Sequence, residues 1–329
     1  MKKALIIGID DYPINPLHGC VNDAVAVGNT LETNGDGSPN FSVRLLISNQ
    51  LNVSTAVLSD AISELFTGDA DTVLLFFAGH GIINQDTNTG YIVSQNGSRG
   101  TWGVSLSEIL GLANRAYPRI KSSVIILDSC HSGFAGEVPS LGNEQISVIG
   151  SGVTILTACH REGTAGESNS HGLFTGILLD GLTGSSADIC GRITPASVYS
   201  HIDQTLGPWE QRPIYKANVQ TFVTLRLVSP KIPLDVLRRL PEYFEDATCI
   251  LNLDPSFEPD RENIPPQFKN IPVNVENARI FKELQMCNRH GLVMPVGAEH
   301  MYYAAINSMG CKLTALGAHY RKLAEMRRL

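Results

Sequence analysis

Short apolar segments rich in Val, Ile and Leu recur along the first part of the chain and limit the folds open to it. They cover residues 4–9, 43–47, 72–78, 123–127, 152–157 and 222–228, and all but 152–157 are followed directly by Gly, Asp or Ser. Their apolarity is continuous rather than alternating, which is typical of strands buried on both faces of a mostly parallel sheet. Helical patterns lie between them, at residues 21–32, 54–66, 105–114, 172–181 and 194–206. The sequence therefore predicts an α/β fold, a mostly parallel sheet covered by helices on both faces.

Prolines break up the chain after residue 229. They are frequent up to residue 272, where little periodicity remains, and this indicates a domain boundary followed by an irregular connection. We predict a first domain over residues 1–229 and a smaller second domain over residues 230–329, in which 230–274 form the connection. Within 275–329, residues 277–288 and 315–328 look helical, and residues 300–307 and 311–314 are predicted to form a hairpin. The sequence around this hairpin resembles the wing and last helix of winged-helix domains.

Composition excludes several classes of protein. No apolar run approaches the eighteen or so residues of a membrane span, and Asp10 and Asp11 follow the N-terminal apolar run too closely for a signal peptide. The seven cysteines are odd in number, widely spaced and without a C-x-x-C pair. This pattern argues against a disulfide framework or a zinc site and predicts the reducing cytoplasm. The net charge is −7, with −8 in residues 1–230 and +1 in residues 231–329, and the acidic first part argues against a nucleic-acid substrate.

Two of the predicted strands lead into residues that suit covalent catalysis. Residues 73–78 lead into GHG, which contains His80, and residues 124–127 lead into DSCHSG, which contains Cys130. The carboxyl ends of parallel strands meet at one edge of a sheet, so neighbouring strands would bring this imidazole and this thiol together. An imidazole increases the thiolate fraction of a nearby thiol and can return the proton to a leaving amine. We predict Cys130 as nucleophile and His80 as base.

The residues beside this pair complete the predicted reaction site. The glycines next to His80 and Cys130 leave room for a peptide backbone. The backbone N–H groups of Gly81 and Cys130 are predicted to hold the developing oxyanion. His131 is the rival base, but side chains adjacent in sequence diverge at a strand end, which favours His80. Taken alone, a lone Cys is more often a buried small hydrophobic residue than a nucleophile.

At these residues the sequence resembles the caspase-like cysteine peptidases, in particular metacaspases and related prokaryotic caspase homologues. The matching segments occur in the family's order between residues 1 and 228, and they read ALIIGID, LHGCVNDA, FFAGHG, DSCHSG and HGLFTGILLDGL. The resemblance implies the caspase-haemoglobinase fold and cysteine endopeptidase activity. The nucleophile segment DSCHSG has the metacaspase form rather than the Q-A-C-x-G form of caspases.

The metacaspase form implies a substrate preference. Metacaspases cleave after Arg or Lys, which enters an acidic pocket, whereas caspases cleave after Asp. The resemblance assigns that pocket to Asp23 and Asp128, with Cys20 beside them. Two carboxylates in a narrow cleft can hold a guanidinium through charge-assisted hydrogen bonds. Other readings are a helix N-terminal acid for Asp23 and a strand-end residue that accepts backbone N–H bonds for Asp128.

The chain also departs from the metacaspase pattern. Metacaspases often have Ser two residues before the catalytic His, and this chain has Ala78 at that position. Many metacaspases bind calcium through an acidic cluster, but here the dense acidic run is missing. Asp86 and Glu137 are the nearest candidate ligands. Because the acidic run is missing, we predict no metal and no cofactor. Residues 134–150 contain no Lys or Arg, which argues against self-cleavage there; Arg161 is the alternative position.

The second domain lies outside the family core. In prokaryotic caspase homologues, extra domains commonly sense a signal, often in anti-phage or programmed-death systems. Residues 275–329 are more basic than acidic, and we predict that Arg321 and Lys322 bind an anionic activator such as a nucleotide second messenger. The alternatives are a solvated helix end, whose cations the helix dipole favours, and nucleic-acid binding, for which the basic and aromatic pattern is sparse. For the whole chain, the alternative is a catalytically idle scaffold that only binds partners.

Overall fold

The computed structural model describes residues 1–84, 86–87, 89–129, 149–158, 167–168, 171–207 and 212–329. The chain divides into two units, Met1–Ser229 and Pro230–Leu329. The division falls where the proline-rich stretch begins. No helix among the described residues has both the length and the apolar composition that crossing a bilayer requires.

The first unit is built around a mostly parallel sheet. Its described strands are β1 (Lys2–Gly8), β2 (Ser42–Ile47), β3 (Ala70–Ala78), β4 (Gly81–Asn84), β5 (Thr89–Ser98), β6 (Thr101–Ser105), β7 (Ile120–Asp128), β8 (Val153–Thr157), β9 (Glu167–Ser168), β10 (His171–Gly172), β11 (Arg192–Ile193), β12 (Ile214–Asn218) and β13 (Arg226–Leu227). Its described helices are α1 (Cys20–Glu32), α2 (Thr55–Leu65), α3 (Leu106–Ala116), α4 (Leu173–Asp180) and α5 (Pro195–Thr205), and a π-helical turn (Gly181–Ser185) follows α4.

Among the described residues, six strands form the central sheet in the order β12-β8-β7-β3-β1-β2. All neighbouring pairs are parallel except β12 with β8, which is antiparallel. Five of the predicted apolar segments are strands of this sheet, and each predicted helix of the first unit is present. The predicted α/β class with a mostly parallel sheet is confirmed.

The prediction for residues 222–228 was wrong. The sixth strand of the sheet is β12, and only β13 is extended within 222–228, where it pairs with β11 in a separate ribbon. Val223 and Leu225 are buried, but the backbone there is bonded irregularly: the carbonyl of Thr224 accepts from Lys2 and that of Leu225 from Asn40. Val223 and Leu225 therefore cover the core without joining the central sheet.

Side chains of each central strand alternate between two cores. Phe77 and Leu127 lie on the face covered by α2 and α3, together with side chains of β5 and β6. Phe76 and Ile126 lie on the face covered by α1, α4 and α5. We call these the α2/α3 face and the α1/α4 face. The predicted cover of helices on both faces is confirmed.

Polar caps fix where the helices begin. Ser54 and Ser105 accept hydrogen bonds from backbone N–H groups in the first turns of α2 and α3. Thr194 and Ser197 form a reciprocal capping box at the start of α5, whose first residue is Pro195. These groups satisfy N–H donors that the first turn of a helix leaves unpaired.

Gly8 at the end of β1 allows α1 to approach the sheet. A Cβ atom there would lie 2.3 Å from the Cys20 carbonyl oxygen and 2.7 Å from the Ala24 Cβ. We expect Gly8→Ala to lower the free energy of unfolding by about 1–3 kcal/mol through overpacking. Gly176→Ala is the control, because a Cβ atom there meets nothing within 4 Å and should stabilise α4 by about 0.5–1 kcal/mol. Urea unfolding of the two variants measures both effects, and equal stabilities would contradict the close approach.

The second unit has its own small sheet. Its described elements are α6 (Leu234–Tyr243), β14 (Ile250–Asn252), a 3₁₀ turn (Pro266–Phe268), α7 (Val275–Arg289), β15 (Val293–Val296), α8 (Met301–Ile306), β16 (Gly310–Leu313) and α9 (Ala315–Glu325). Strand β16 pairs antiparallel with both β14 and β15. The predicted helices over 277–288 and 315–328 correspond to α7 and α9.

The predicted hairpin of residues 300–307 with 311–314 was wrong. Residues 301–306 form helix α8, and the partners of β16 are β14 and β15 instead. The buried side chains of α8 are Met301, Ala304, Ala305 and Ile306, which have helical spacing. Its two tyrosines favour a strand by propensity, but packing of the apolar stripe decides the structure.

Candidate active site

Strands β3 and β7 remain paired up to the point where the predicted catalytic residues follow. Ala78 of β3 is the register partner of Asp128 of β7. One residue further, the Gly79 N–H donates to the Asp128 carbonyl at 3.3 Å. His80 comes two residues after Ala78 in the chain, and Cys130 comes two residues after Asp128. Cys130 itself lies outside the described residues, so the position of its thiol remains a prediction.

The His80 imidazole is held by a backbone carbonyl. Its Nε2 atom lies 2.6 Å from the carbonyl oxygen of Asn15. A carbonyl oxygen can only accept, so this contact assigns the proton to Nε2 and leaves Nδ1 as the nitrogen able to accept a proton. Asn15 has a φ of 55°, in the left-handed region that Asn tolerates better than most residues. The loop between β1 and α1 thus sets the tautomer that a general base requires.

Tyr12 contacts the same histidine through its hydroxyl and its ring. Its hydroxyl accepts from the His80 backbone N–H at 3.0 Å and donates to the Val93 carbonyl at 3.1 Å. The two rings are 4.5 Å apart between centroids. Burial raises the pKa of Tyr12, so the hydroxyl keeps its proton and its role as a donor. Sequence reasoning missed Tyr12 and Asn15, since neither belongs to a motif and their loop is far from His80 in sequence.

Removal of the Tyr12 hydroxyl tests this support. We expect Tyr12→Phe to leave two buried backbone groups without their partner and to lower the free energy of unfolding by about 1–3 kcal/mol. The looser imidazole should also reduce kcat/KM by about tenfold, mainly in kcat. Tyr199→Phe is the control: the Tyr199 ring stacks on Tyr215, and its hydroxyl forms no hydrogen bond with any residue that the structure describes. Thermal unfolding and peptide hydrolysis of both variants measure these effects, and equal losses would contradict the role of Tyr12.

The two predicted pocket carboxylates meet at Gly172. Asp23 accepts from the Gly172 N–H at 3.1 Å, and Asp128 accepts from the Thr175 hydroxyl at 2.6 Å. A Cβ atom on Gly172 would lie 2.6 Å from Asp128 Oδ2 and 3.3 Å from Asp23 Oδ2. Both acids are buried, at 2% and 7% exposure. Asp23 from α1 and Asp128 from β7 therefore lie against one glycine at the start of α4, on the α1/α4 face.

The other predicted site residues within the described ranges are Cys20 of α1 and Gly81 of β4. Cys20 is buried and begins α1, where its backbone N–H donates to the Asp10 carboxylate at 2.9 Å, and Val21 donates to the other Asp10 oxygen at 3.2 Å. Asp10, which sequence reasoning did not single out, thus caps the helix that carries Asp23. Gly81 begins β4, opposite Ile92 of β5. The predicted oxyanion role of the Gly81 and Cys130 N–H groups remains a prediction.

No group of three or more His, Cys, Asp or Glu side chains is placed to hold a metal ion within the described ranges. Asp86 is an exposed turn residue. Glu137, like Arg161 and His131, lies outside the described residues.

The predicted ligand residues of the second unit lie on α9. The buried Arg321 guanidinium donates to the Phe244 carbonyl at 2.6 Å and also to the Glu245 carbonyl. These bonds tie α9 to the chain that follows α6, which gives Arg321 a structural role. Lys322 is exposed. Binding of an anionic activator by the pair stays a prediction.

Most of this chain matches the model of one protein family. The family model described as "Caspase domain", of peptidase type C14, matches residues 1–222. The chain belongs to the caspase-domain family of cysteine peptidases. The matched region includes His80, Cys130, Asp23 and Asp128, and it ends before the second unit begins. The predicted membership of this family is confirmed.

Similar chains also occur among solved structures. Protein GSU0716 from Geobacter sulfurreducens matches with a TM-score of 0.51 and 16% identity, over 69% of this chain and 99% of that one. Caspase-1 from Spodoptera frugiperda has a TM-score of 0.49 and 12% identity, over 69% of this chain and 92% of that one. At such identity the first similarity shows the fold alone. Among curated protein sequences, none matches this caspase-domain chain significantly.

Proposed function

We propose that this chain is an endopeptidase in which Cys130 attacks the peptide carbonyl and His80 moves the proton. His80 Nδ1 takes the thiol proton, the thiolate forms the new C–S bond, and the N–H groups of Gly81 and Cys130 stabilise the oxyanion. When the C–N bond breaks, His80 returns the proton to the leaving amine, which leaves a thioester acyl-enzyme. His80 then takes a proton from water, which attacks the thioester carbonyl. The carboxylic acid product is released, and the Cys130 thiol is restored. The observation that carries this proposal is the pairing of Ala78 with Asp128, two residues before each catalytic residue.

The buried acids support a preference for Arg or Lys before the scissile bond. Asp23 and Asp128 lie against the same glycine, and Asp128 comes two residues before Cys130 in the chain. Ionised carboxylates are strong acceptors for a guanidinium, because such charge-assisted hydrogen bonds are stronger than neutral ones. A bound cation also relieves the repulsion between two ionised carboxylates. An Asp side chain in the same place would add a third negative charge.

The second unit is the proposed regulator. Residues 230–329 form a separate unit beyond the family core, and an uncontrolled endopeptidase would damage its host. We therefore propose a latent cytoplasmic enzyme that an anionic signal, such as a nucleotide second messenger, switches on through this unit. A role in anti-phage defence or programmed cell death would follow from such control.

The test uses peptides with an aminocoumarin leaving group and Arg, Lys or Asp before the scissile bond. Each is incubated with wild-type protein or Cys130→Ala, with and without cyclic nucleotides or host-cell lysate. Cys130-dependent release after Arg and Lys, increased by a nucleotide, is the expected result. Release after Asp would contradict the acidic pocket. Equal rates for both proteins under every condition would favour an idle scaffold.

A further inference from the structure

A cavity on the other side of His80 from the acidic residues has no assigned role. It has a volume of about 480 Å³ and shares His80 and Gly81 with the candidate active site. Its remaining walls come from the loop after β1 and from the β4–β5–β6 sheet. Tyr12 and Val93 of these walls belong to the core of the α2/α3 face. The cavity and the two carboxylates therefore lie on opposite faces of the central sheet, with His80 beyond its carboxyl edge.

The chemistry of this cavity is opposite to that of the acidic site. Its walls are largely apolar, with Ile14, Ile82 and Trp102 among them, and Arg99 lies at its rim. None of the described lining residues is Asp or Glu. Ile14 is 79% exposed, and its apolar side chain gains by being covered. The cavity thus suits an apolar side chain and disfavours a cationic one.

The reaction fixes which part of a substrate comes here. His80 must protonate the leaving amine, so that nitrogen comes within about 2.6–3.2 Å of the imidazole. The amine belongs to the first residue after the scissile bond, whose side chain starts only two bonds away. In an extended peptide, successive side chains point to opposite sides. If the residue before the scissile bond enters the acidic site on the α1/α4 face, the next side chain points toward the α2/α3 face.

We propose that this cavity binds the side chain of the first residue after the scissile bond and selects a bulky apolar one. The inference rests on the proposed function and deepens it, because it defines the substrate on both sides of the cleaved bond. The preferred cleavage sequence is then a basic residue followed by Leu, Ile, Met or Phe. Ile14 and Trp102 determine the second part of this preference.

The test uses internally quenched peptides that differ at one position. All carry Arg before the scissile bond, and Leu, Phe, Gly or Lys after it. The assay condition is the one that gives the fastest release from the Arg aminocoumarin substrate. We expect kcat/KM for Leu and Phe to exceed that for Gly and Lys by about tenfold or more, as a filled apolar pocket gives.

A matched pair of surface variants assigns the preference to the cavity. Ile14→Asp should remove the advantage of Leu over Gly in kcat/KM. Val219→Asp makes the same change at a side chain that is 48% exposed and follows β12 at the opposite edge of the sheet; it should keep the preference. Circular dichroism checks that both variants fold.

The outcomes separate this inference from the proposed function. Equal cleavage of all four peptides, or a Leu preference that Ile14→Asp retains, overturns the assignment of the cavity while the endopeptidase stands. Absence of Cys130-dependent cleavage of the peptides and of the aminocoumarin substrate alike overturns both.

Discussion

Cys130→Ala should abolish peptide hydrolysis, and His80→Ala should lower kcat/KM by about 10²- to 10⁴-fold. Without the thiol no acyl-enzyme forms. Without the imidazole, no group is in place to take the thiol proton or to protonate the leaving amine. The two residues act as one unit, so the double variant should be no slower than Cys130→Ala alone. Steady-state hydrolysis of the Arg peptide measures all three.

Controls for this prediction come from the second unit. Cys249→Ala removes a free, partly exposed thiol, and His319→Ala removes an exposed imidazole; both should hydrolyse the peptide at the wild-type rate. Thermal unfolding of each variant separates lost chemistry from lost folding. A His80→Ala enzyme with nearly full activity would assign the base elsewhere, and His131 would be the next residue to change.

The second large effect concerns specificity. Asp128→Asn keeps the shape of the side chain and an oxygen that can accept from Thr175, but removes the charge. We expect kcat/KM for the Arg peptide to fall by about 10²- to 10³-fold, as for truncation of one partner of a buried charged pair. Asp23→Asn should act in the same direction.

A neutral isostere of the substrate sharpens this test. Wild-type protein should prefer Arg strongly over citrulline, which has the same shape without the charge, and Asp128→Asn should lose most of that preference. Asp60→Asn changes an exposed carboxylate on α2 and should leave the preference for Arg over citrulline intact. An unchanged ratio of Arg to citrulline cleavage in both Asp128→Asn and Asp23→Asn would show that these acids do not form the specificity pocket.

Much of the first unit was predictable because a strand that is buried on both faces has a continuous run of apolar residues in its sequence. β1, β3 and β7 read as continuous apolar runs, and their last residues define the edge where His80 lies. β12 was missed because it is an edge strand: its residues are partly or fully exposed, and its sequence, IYKAN, is mixed. Residues 222–228 have the opposite property: Val223 and Leu225 are apolar and buried, but the segment does not join the central sheet.

The site was predictable only where side chains carry the chemistry. His80, Asp23 and Asp128 belong to motifs, whereas Asn15 acts through its carbonyl oxygen and Tyr12 through a hydroxyl that bonds backbone groups. Such contacts depend on how the loop after β1 folds over the carboxyl edge. Arg321 shows the reverse: its charge suggests a ligand, but its described bonds go to two backbone carbonyls and to the Glu325 carboxylate of the same unit.

Covalent labelling tests the central claim, that a reactive Cys130 serves a site for basic residues. Wild-type protein, Cys130→Ala and His80→Ala are incubated with peptide chloromethyl ketones that end in Arg or in Asp, and the labelled residue is identified by mass spectrometry. Cys287 and Cys311 are internal controls, because burial raises the pKa of each thiol to about 12. The account predicts one adduct, on Cys130, formed rapidly with the Arg reagent, slowly in His80→Ala and not in Cys130→Ala. Faster labelling by the Asp reagent, or an adduct on another cysteine with Cys130 unmodified, would contradict it.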